Sequence, residues 1–116
     1  MRTWSYDGLF LLLFSAFDNK MNRKEEIKSM IKKVIATHLS GDYSAFIFGS
    51  QAGLPELIRA DIDIGIDAAR PLTLREESLI WNGLDEMPTL YKFDLIDFFE
   101  ADDSFKKVAL KNIEML

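Results

Sequence analysis

The most regular alternation of hydrophobic and polar side chains runs from Asp61 to Asp67, in the order Asp-Ile-Asp-Ile-Gly-Ile-Asp. A period of two residues is typical of a β-strand, whose successive side chains point to opposite faces of a sheet. The pattern predicts a strand that buries its three isoleucines and places Asp61 and Asp63 together on the other face. Two further apolar runs, Ser44–Phe48 and residues 91–99, predict strands before and after it.

A period of three to four residues predicts a first helix over residues 22–39. Asn22 and Glu25 have the spacing of a capping box at its start. Its apolar stripe consists of Ile27, Met30, Ile31, Val34 and Ile35, and four lysines lie largely outside that stripe: Lys24, Lys28, Lys32 and Lys33. We interpret these lysines as a solvated basic face rather than as a clamp for a nucleotide.

Three more helices are predicted. A short one over residues 51–58 follows the turn at Gly49-Ser50, and Thr73 with Glu76 repeats the capping-box spacing at the start of residues 73–87. The last begins at Asp102 and continues to the end of the sequence. The predicted buried positions are Leu74, Leu79, Ile80, Leu84 and Met87 in the second of these helices, and Phe105, Val108, Ala109, Ile113 and Leu116 in the last.

This order of helices and strands predicts an α/β (α+β) fold, a small mixed β-sheet flanked by helices. At 116 residues, of which 48% are hydrophobic, the chain is long enough for one domain with its own core. We assign residues 22–116 to that domain and residues 1–21 to an N-terminal apolar extension.

Within the extension, residues 9–17 are an apolar run too short to span a bilayer. Three interpretations of this run remain open. It is an ordered segment that packs on the domain or on a partner, or the product of a translation start upstream of a natural start at Met21, or an export signal.

Composition narrows the classes of function. Fourteen basic and nineteen acidic side chains leave a net charge of −5, which argues against broad, sequence-independent binding to DNA. The chain has no cysteine and a single histidine, His38, so neither a disulfide framework nor a zinc site is expected. We expect a cytoplasmic protein.

Asp61 and Asp63 are the first candidates for chemistry, because two carboxylates on one strand face repel each other. At about 4 Å and an effective dielectric constant of about 20 the repulsion is roughly 4 kcal/mol. A divalent cation between the carboxylates would remove it, and Mg²⁺ prefers such hard oxygen ligands. The turn at Gly49-Ser50 could bind a phosphate at the start of the predicted short helix, although a tight turn with a serine cap explains it equally well.

Gly49-Ser50, then ten residues, then Asp61-x-Asp63 resembles the signature of the nucleotidyltransferase superfamily that includes DNA polymerase β and kanamycin nucleotidyltransferase. The short chain resembles most closely the minimal nucleotidyltransferases, or MNT proteins. The resemblance implies that Asp61 and Asp63 hold two Mg²⁺ ions and that Gly49 and Ser50 bind the phosphates of a nucleotide donor, with ATP expected.

Relatives carry their third metal-binding carboxylate at the first aspartate of the last predicted strand. The resemblance therefore implies Asp94 as the third catalytic and metal-binding residue, with Asp97, on the opposite face by alternation, as the fallback. The implied reaction is transfer of a nucleoside monophosphate to an acceptor hydroxyl. Many relatives have arginine and glycine where this chain has Gly53 and Leu54, so a phosphate-contacting arginine is missing at that place.

The family also implies a partner, because minimal members lack the second domain that binds the acceptor in longer relatives. Three hypotheses follow. The chain is an antitoxin that adenylylates a helical HEPN-like toxin, or the catalytic subunit of a two-chain small-molecule nucleotidyltransferase whose helical subunit binds the acceptor, or a degenerate antitoxin that acts by binding alone. A second copy of the chain is a further candidate partner.

Overall fold

The computed structural model describes residues 23–116. The predicted N-cap at Asn22 and the apolar run over residues 9–17 lie outside the described residues. Among those that are described, no helix is long and apolar enough to cross a membrane.

Seven regular elements and one turn of 3₁₀ helix make up the described part of the chain. In order they are α1 (Arg23–His38), β1 (Ser44–Phe48), the 3₁₀ turn (Gly49–Gln51), β2 (Asp61–Asp67), α2 (Leu74–Asp85), β3 (Lys92–Asp97), α3 (Asp103–Ala109) and β4 (Ile113–Met115).

The strands form one mixed sheet in the order β3-β2-β1-β4. β1 is antiparallel to both of its neighbours, whereas β2 and β3 are parallel. This confirms the predicted class, a small mixed sheet flanked by helices. The parallel pair is possible because α2 crosses between β2 and β3, as parallel strands require.

One face of the sheet carries the main core. The three isoleucines of β2 are completely buried there, as their alternation predicted, and they pack with the apolar sides of α1 and α2. The predicted stripe of α1 is confirmed, because Ile27, Ile31 and Ile35 are buried and its other two members pack against them. The capping box of α2 at Thr73 and Glu76 is also confirmed.

A smaller aromatic core covers part of the opposite face. Phe46, Phe48 and Phe98 are buried with Ala109 of α3, and the Phe98 ring lies edge-on to the other two at 4.9 and 5.2 Å between ring centres. Gly65 of β2 lies beneath these rings. A methyl group there would come within 2.6 Å of Phe46 and of Phe98, so β2 requires glycine at this position.

The predicted helix over residues 51–58 is wrong. The chain makes only the 3₁₀ turn and then an irregular loop to Ala60. Gly53 adopts a φ of +78°, which ends helical geometry, and Pro55 follows two residues later without a backbone N–H to donate.

The prediction of one helix from residue 102 to the end of the chain is wrong as well. Asp102 does cap α3, accepting a hydrogen bond from the Ser104 backbone N–H, but the helix ends at Ala109. The next residues form β4, which pairs with β1. Of the predicted buried stripe only Ala109 is buried, and Val108 is 67% exposed.

Two smaller corrections concern α1 and α2. Leu74, predicted to be buried, is 80% exposed, and α2 ends at Asp85 rather than at residue 87. Lys24, assigned above to a solvated basic face, is only 2% exposed. Lys32 and Lys33 are exposed, in agreement with that interpretation.

Candidate active site

The carboxylates of Asp61, Asp63 and Asp94 lie on the same face of the sheet as the aromatic core, beyond the edge of that core. Asp63 of β2 and Asp94 of β3 are direct neighbours in the parallel register. Asp61 lies two residues before Asp63 and therefore on the same face. The last residue of β1, Phe48, pairs with Asp63, so Asp61 projects past the end of β1.

The electrostatics of these carboxylates are unfavourable. Asp61 and Asp94 are exposed and Asp63 is half-buried. Burial raises the pKa of Asp63, and the negative charges of Asp94 and Asp61 raise it further. Within residues 23–116, no lysine or arginine forms an ion pair with any of the three. The site thus concentrates negative charge that the described part of the protein does not neutralise.

Asp97, the fallback for the third carboxylate, has a different environment. Alternation along β3 turns it away from Asp94, and its carboxylate accepts hydrogen bonds from the backbone N–H groups of Leu72, at 2.9 Å, and Phe99, at 3.0 Å. Asp97 therefore fixes two chain segments. Of the two aspartates, only Asp94 is placed beside Asp63.

The turn at Gly49-Ser50 lies directly against the carboxylate of Asp63. Gly49 has a φ of +81°, and a Cβ atom built on it would lie 3.0 Å from Oδ2 of Asp63. Glycine thus provides both the turn and the open space beside the Asp63 carboxylate. Ser50 is exposed at the end of β1. Because the helical segment is only one 3₁₀ turn, it lacks the extended dipole that the predicted helix would have supplied.

Asn112, which the sequence did not single out, fixes this turn through two hydrogen bonds to Gly49. Its side-chain amide donates to the Gly49 carbonyl at 2.9 Å, and its backbone carbonyl accepts from the Gly49 N–H at 3.3 Å. The sequence did not single out Gln51 or Glu114 either, and it assigned the buried Lys24 to a solvated face. A single polar residue gives no periodic signal, so its partners become visible only in the folded chain.

In the described residues no three His, Cys, Asp or Glu side chains lie close enough together to bind one metal ion as they stand. The backbone positions nevertheless suit such a site. Neighbouring strands are about 4.8 Å apart and alternate residues of a strand about 6.6 Å apart. Asp63 and Asp94 are thus about one strand spacing apart, and Asp61 lies about 6.6 Å from Asp63 along β2. Carboxylate oxygens are the ligands that Mg²⁺ prefers.

The chain is similar to known proteins in sequence and in fold. Residues 25–116 match the family model described as polymerase beta, nucleotidyltransferase. No curated protein sequence matches the chain.

Solved structures share the fold. One is a crystal structure of a protein from Shewanella oneidensis, with 20% identity and a TM-score of 0.63 over 83% of this chain and 71% of that one. Another belongs to the complex of the tri-AMPylated Shewanella oneidensis HEPN toxin with an MNT antitoxin. It has 19% identity and a TM-score of 0.61 over 77% of this chain and 67% of that one.

Proposed function

Since the chain belongs to the polymerase β nucleotidyltransferase family, we propose that it transfers AMP from ATP to a hydroxyl of a helical, HEPN-like partner protein, as an MNT antitoxin. The observation that carries this proposal is the register of β2 and β3. It places the exposed Asp94 beside Asp63, on the face that Asp61 shares and next to the glycine turn.

Each part of the site has a proposed role. Asp61, Asp63 and Asp94 would bind Mg²⁺, and the unneutralised charge around Asp63 supports this. The bound metal would supply charge neutralisation for the triphosphate and a lowered pKa for the acceptor hydroxyl. Gly49 and Ser50 would hold the donor phosphates, Gly49 because its backbone can approach them closely and Ser50 because its hydroxyl is exposed.

The proposed reaction is an in-line displacement at the α-phosphorus of ATP. The acceptor hydroxyl oxygen forms a bond to the α-phosphorus of ATP, and the bond from that phosphorus to the β-phosphate oxygen breaks. Pyrophosphate leaves with the electron pair. The hydroxyl proton is taken up by a site carboxylate and passed to solvent.

The partner is proposed from the complex named above, which pairs an MNT antitoxin with an AMPylated HEPN toxin. The exposed apolar side chains of this chain are consistent with a protein interface, and those on α3 and β4 include Phe105, Val108, Ile113 and Met115. A helical subunit that carries a small-molecule acceptor is the alternative partner, and the same transfer chemistry would apply to it.

A second candidate is an antitoxin that binds its partner without transferring a nucleotide. It is favoured by the departure at Gly53 and Leu54, where relatives carry arginine and glycine. The Gly53 N–H donates to Glu114 at 2.8 Å and the Leu54 carbonyl accepts from Lys24, so these positions serve the structure of the loop.

The test is transfer of label from α-labelled ATP. The chain is mixed with the product of its neighbouring gene, with Mg²⁺ present, and compared with the Asp63→Asn variant as a matched control. We expect label on the partner, or on a ligand that it binds, with the unchanged chain only. A stable complex without label transfer would favour the binding-only candidate, and neither complex nor label would contradict both.

A further inference from the structure

Gln51 is the most deeply buried polar residue in the described part of the chain. It is the last residue of the 3₁₀ turn, directly after Ser50, and only 1% of it is exposed. A buried amide must find partners for two donors and one acceptor, since leaving them unpaired is costly. Those partners show what the residue does.

The Gln51 side chain ties together the far end of the loop that separates the turn from β2. Its Nε2 donates to the carbonyls of Arg59, at 2.8 Å, and Asp61, at 2.6 Å, and its Oε1 accepts from the Ile58 N–H at 2.9 Å. The carbonyls can only accept and the N–H can only donate. The orientation of the amide is therefore fixed by its surroundings.

The hydrogen bond from Gln51 to the Asp61 carbonyl lies at the start of β2, where β1 no longer pairs with it. β1 ends at Phe48, which pairs with Asp63, so no strand residue of β1 pairs with Asp61. On the other side, β3 continues to pair, with the Lys92 N–H donating to the Ala60 carbonyl at 2.8 Å. The Gln51 amide thus takes the place of the missing strand and holds the backbone of Asp61 on its otherwise unpaired side.

Gln51 is itself held by a buried lysine. Nζ of Lys24 donates to the Gln51 carbonyl at 3.1 Å, to the Leu54 carbonyl and to Glu114 of β4. Glu114 also accepts from Lys28 at 2.8 Å and from the Gly53 N–H. Burial alone would raise the pKa of Glu114, but hydrogen bonds from Lys24, Lys28 and Gly53 lower it to about 2.

We infer that Gln51, backed by Lys24 and Glu114, is a positioning residue for the candidate metal site. It sets where Asp61 stands relative to Asp63 and Asp94 without touching metal or nucleotide. This inference rests on the proposed function for its catalytic consequence. The residues that orient metal ligands typically contribute tenfold to a hundredfold to metal affinity, and the same range is expected here.

The test compares two variants of Gln51 with a control in the full chain, using Mn²⁺ alone as the probe. Gln51→Met removes every hydrogen bond of the amide at nearly constant length. Gln51→Glu keeps an acceptor for the Ile58 N–H and removes the donor to Asp61. Thr73→Ala weakens the distant cap of α2 and serves as the destabilised control with an intact site.

We expect the dissociation constant for Mn²⁺ to rise at least about tenfold in both Gln51 variants and to stay unchanged in Thr73→Ala. Amide exchange at Ile58 should accelerate in Gln51→Met more than in Thr73→Ala. In the transfer assay, added metal should restore most of the rate of Gln51→Glu. A folded Gln51→Met chain with the original Mn²⁺ affinity would overturn the inference.

Failure of the proposed function gives a different result. If the unchanged chain binds no Mn²⁺, the metal-dependent transferase is contradicted, and the positioning of Asp61 is decided by amide exchange alone. Faster exchange at Ile58 in Gln51→Met would still support the role of Gln51 in holding the loop, and unchanged exchange would overturn it.

Discussion

Asp63 shows how a single side chain can oppose folding at the place where chemistry is expected. It is half-buried beside two other carboxylates, and its pKa is raised by burial and by the charges of Asp94 and Asp61. The folded chain therefore holds its proton more tightly than the unfolded chain does. Stability from this group is present at low pH and is lost as the pH rises above the unfolded value of 3.8 towards the raised folded pKa.

The Asp63→Asn variant should remove this pH dependence. Without metal we expect it to be at least as stable as the unchanged chain near neutral pH, because one of three repelling charges is gone. Nucleotide transfer should fall to background. The measurement is urea unfolding in a chelator, from about pH 3 to about pH 8. The difference between the two chains should grow as the pH rises above 3.8 and become constant above the raised folded pKa of Asp63.

Asp42→Asn is the matched control for this experiment, because Asp42 is an exposed aspartate in the loop before β1. It removes the same charge far from the site and should leave both the pH dependence and the transfer rate unchanged. If Asp63→Asn unfolded the chain instead, Asp63 would have a structural role and the metal site would be contradicted.

Among the elements, α2 depends on a cap that the sequence identified correctly. The Thr73 hydroxyl accepts from the Glu76 N–H at 3.0 Å, and the Glu76 carboxylate accepts from the Thr73 N–H at 2.9 Å and from Arg70. Arg70 and Thr73 lower the pKa of Glu76 to about 2. The stability that the ionised Glu76 carboxylate contributes is present above its ordinary pKa of 4.5 and is lost as the pH falls towards 2.

Removing the cap by Thr73→Ala should lower the free energy of unfolding by about 1 kcal/mol. Thr37→Ala is the matched control, since Thr37 is an exposed residue inside α1 and alanine is a better helix former. It should change stability little or raise it. Urea unfolding at neutral pH measures the free energy of unfolding of both variants. If Thr73→Ala were as stable as Thr37→Ala, the cap would be energetically unimportant.

The junction of α1 with β4 depends on Lys24. Lys24→Met should lower the free energy of unfolding by about 3 kcal/mol, because it leaves the Gln51 and Leu54 carbonyls without their donor and Glu114 with only one of its two lysine partners. Lys33→Met, on the exposed side of the same helix, should change it by no more than about 0.5 kcal/mol. Thermal or urea unfolding distinguishes them, and a similar small effect of both would contradict the proposed importance of the buried lysine.

The elements that sequence predicted well have long periodic patterns. β2 was recognisable because three aspartates alternate with buried isoleucines, and α1 because its isoleucines recur at helical spacing. β4 was missed because it has three residues, and its only inward polar side chain, Glu114, is satisfied by Lys24 from α1. The same long-range pairing explains why Lys24 was mistaken for a solvated residue.

In the candidate site, too, some parts were predictable from the sequence and others were not. Asp61 and Asp63 were singled out by alternation and by the motif, whereas Asp94 was chosen over Asp97 from the family resemblance alone. The register of β2 and β3 pairs Asp94 with Asp63. The loop between the turn and β2 was not predictable, because a glutamine side chain rather than a repeating pattern determines its shape.

At the scale of the whole molecule, the site should couple ligand binding to folding. Mg²⁺ with ATP should stabilise the chain, since a ligand that binds only the folded state at 100 times its dissociation constant adds about 2.7 kcal/mol. We expect the thermal midpoint to rise with both ligands present and to stay unchanged in Asp63→Asn. A melting curve unaffected by saturating metal and nucleotide, with the partner present, would contradict the catalytic proposal.

The lysine that supports this site also sets a constraint on the order of folding. Lys24 and Glu114 are separated by 90 positions along the chain, and the loop before Asp61 is fastened to both. Contacts between such distant positions form late, because the cost of closing the intervening chain comes before their gain. While a ribosome is still making the last strand, the growing chain contains every aspartate of the site but lacks the carboxylate that secures the loop. We therefore expect a growing chain that has not yet passed Glu114 to bind metal more weakly, and to transfer nucleotide more slowly, than the full chain.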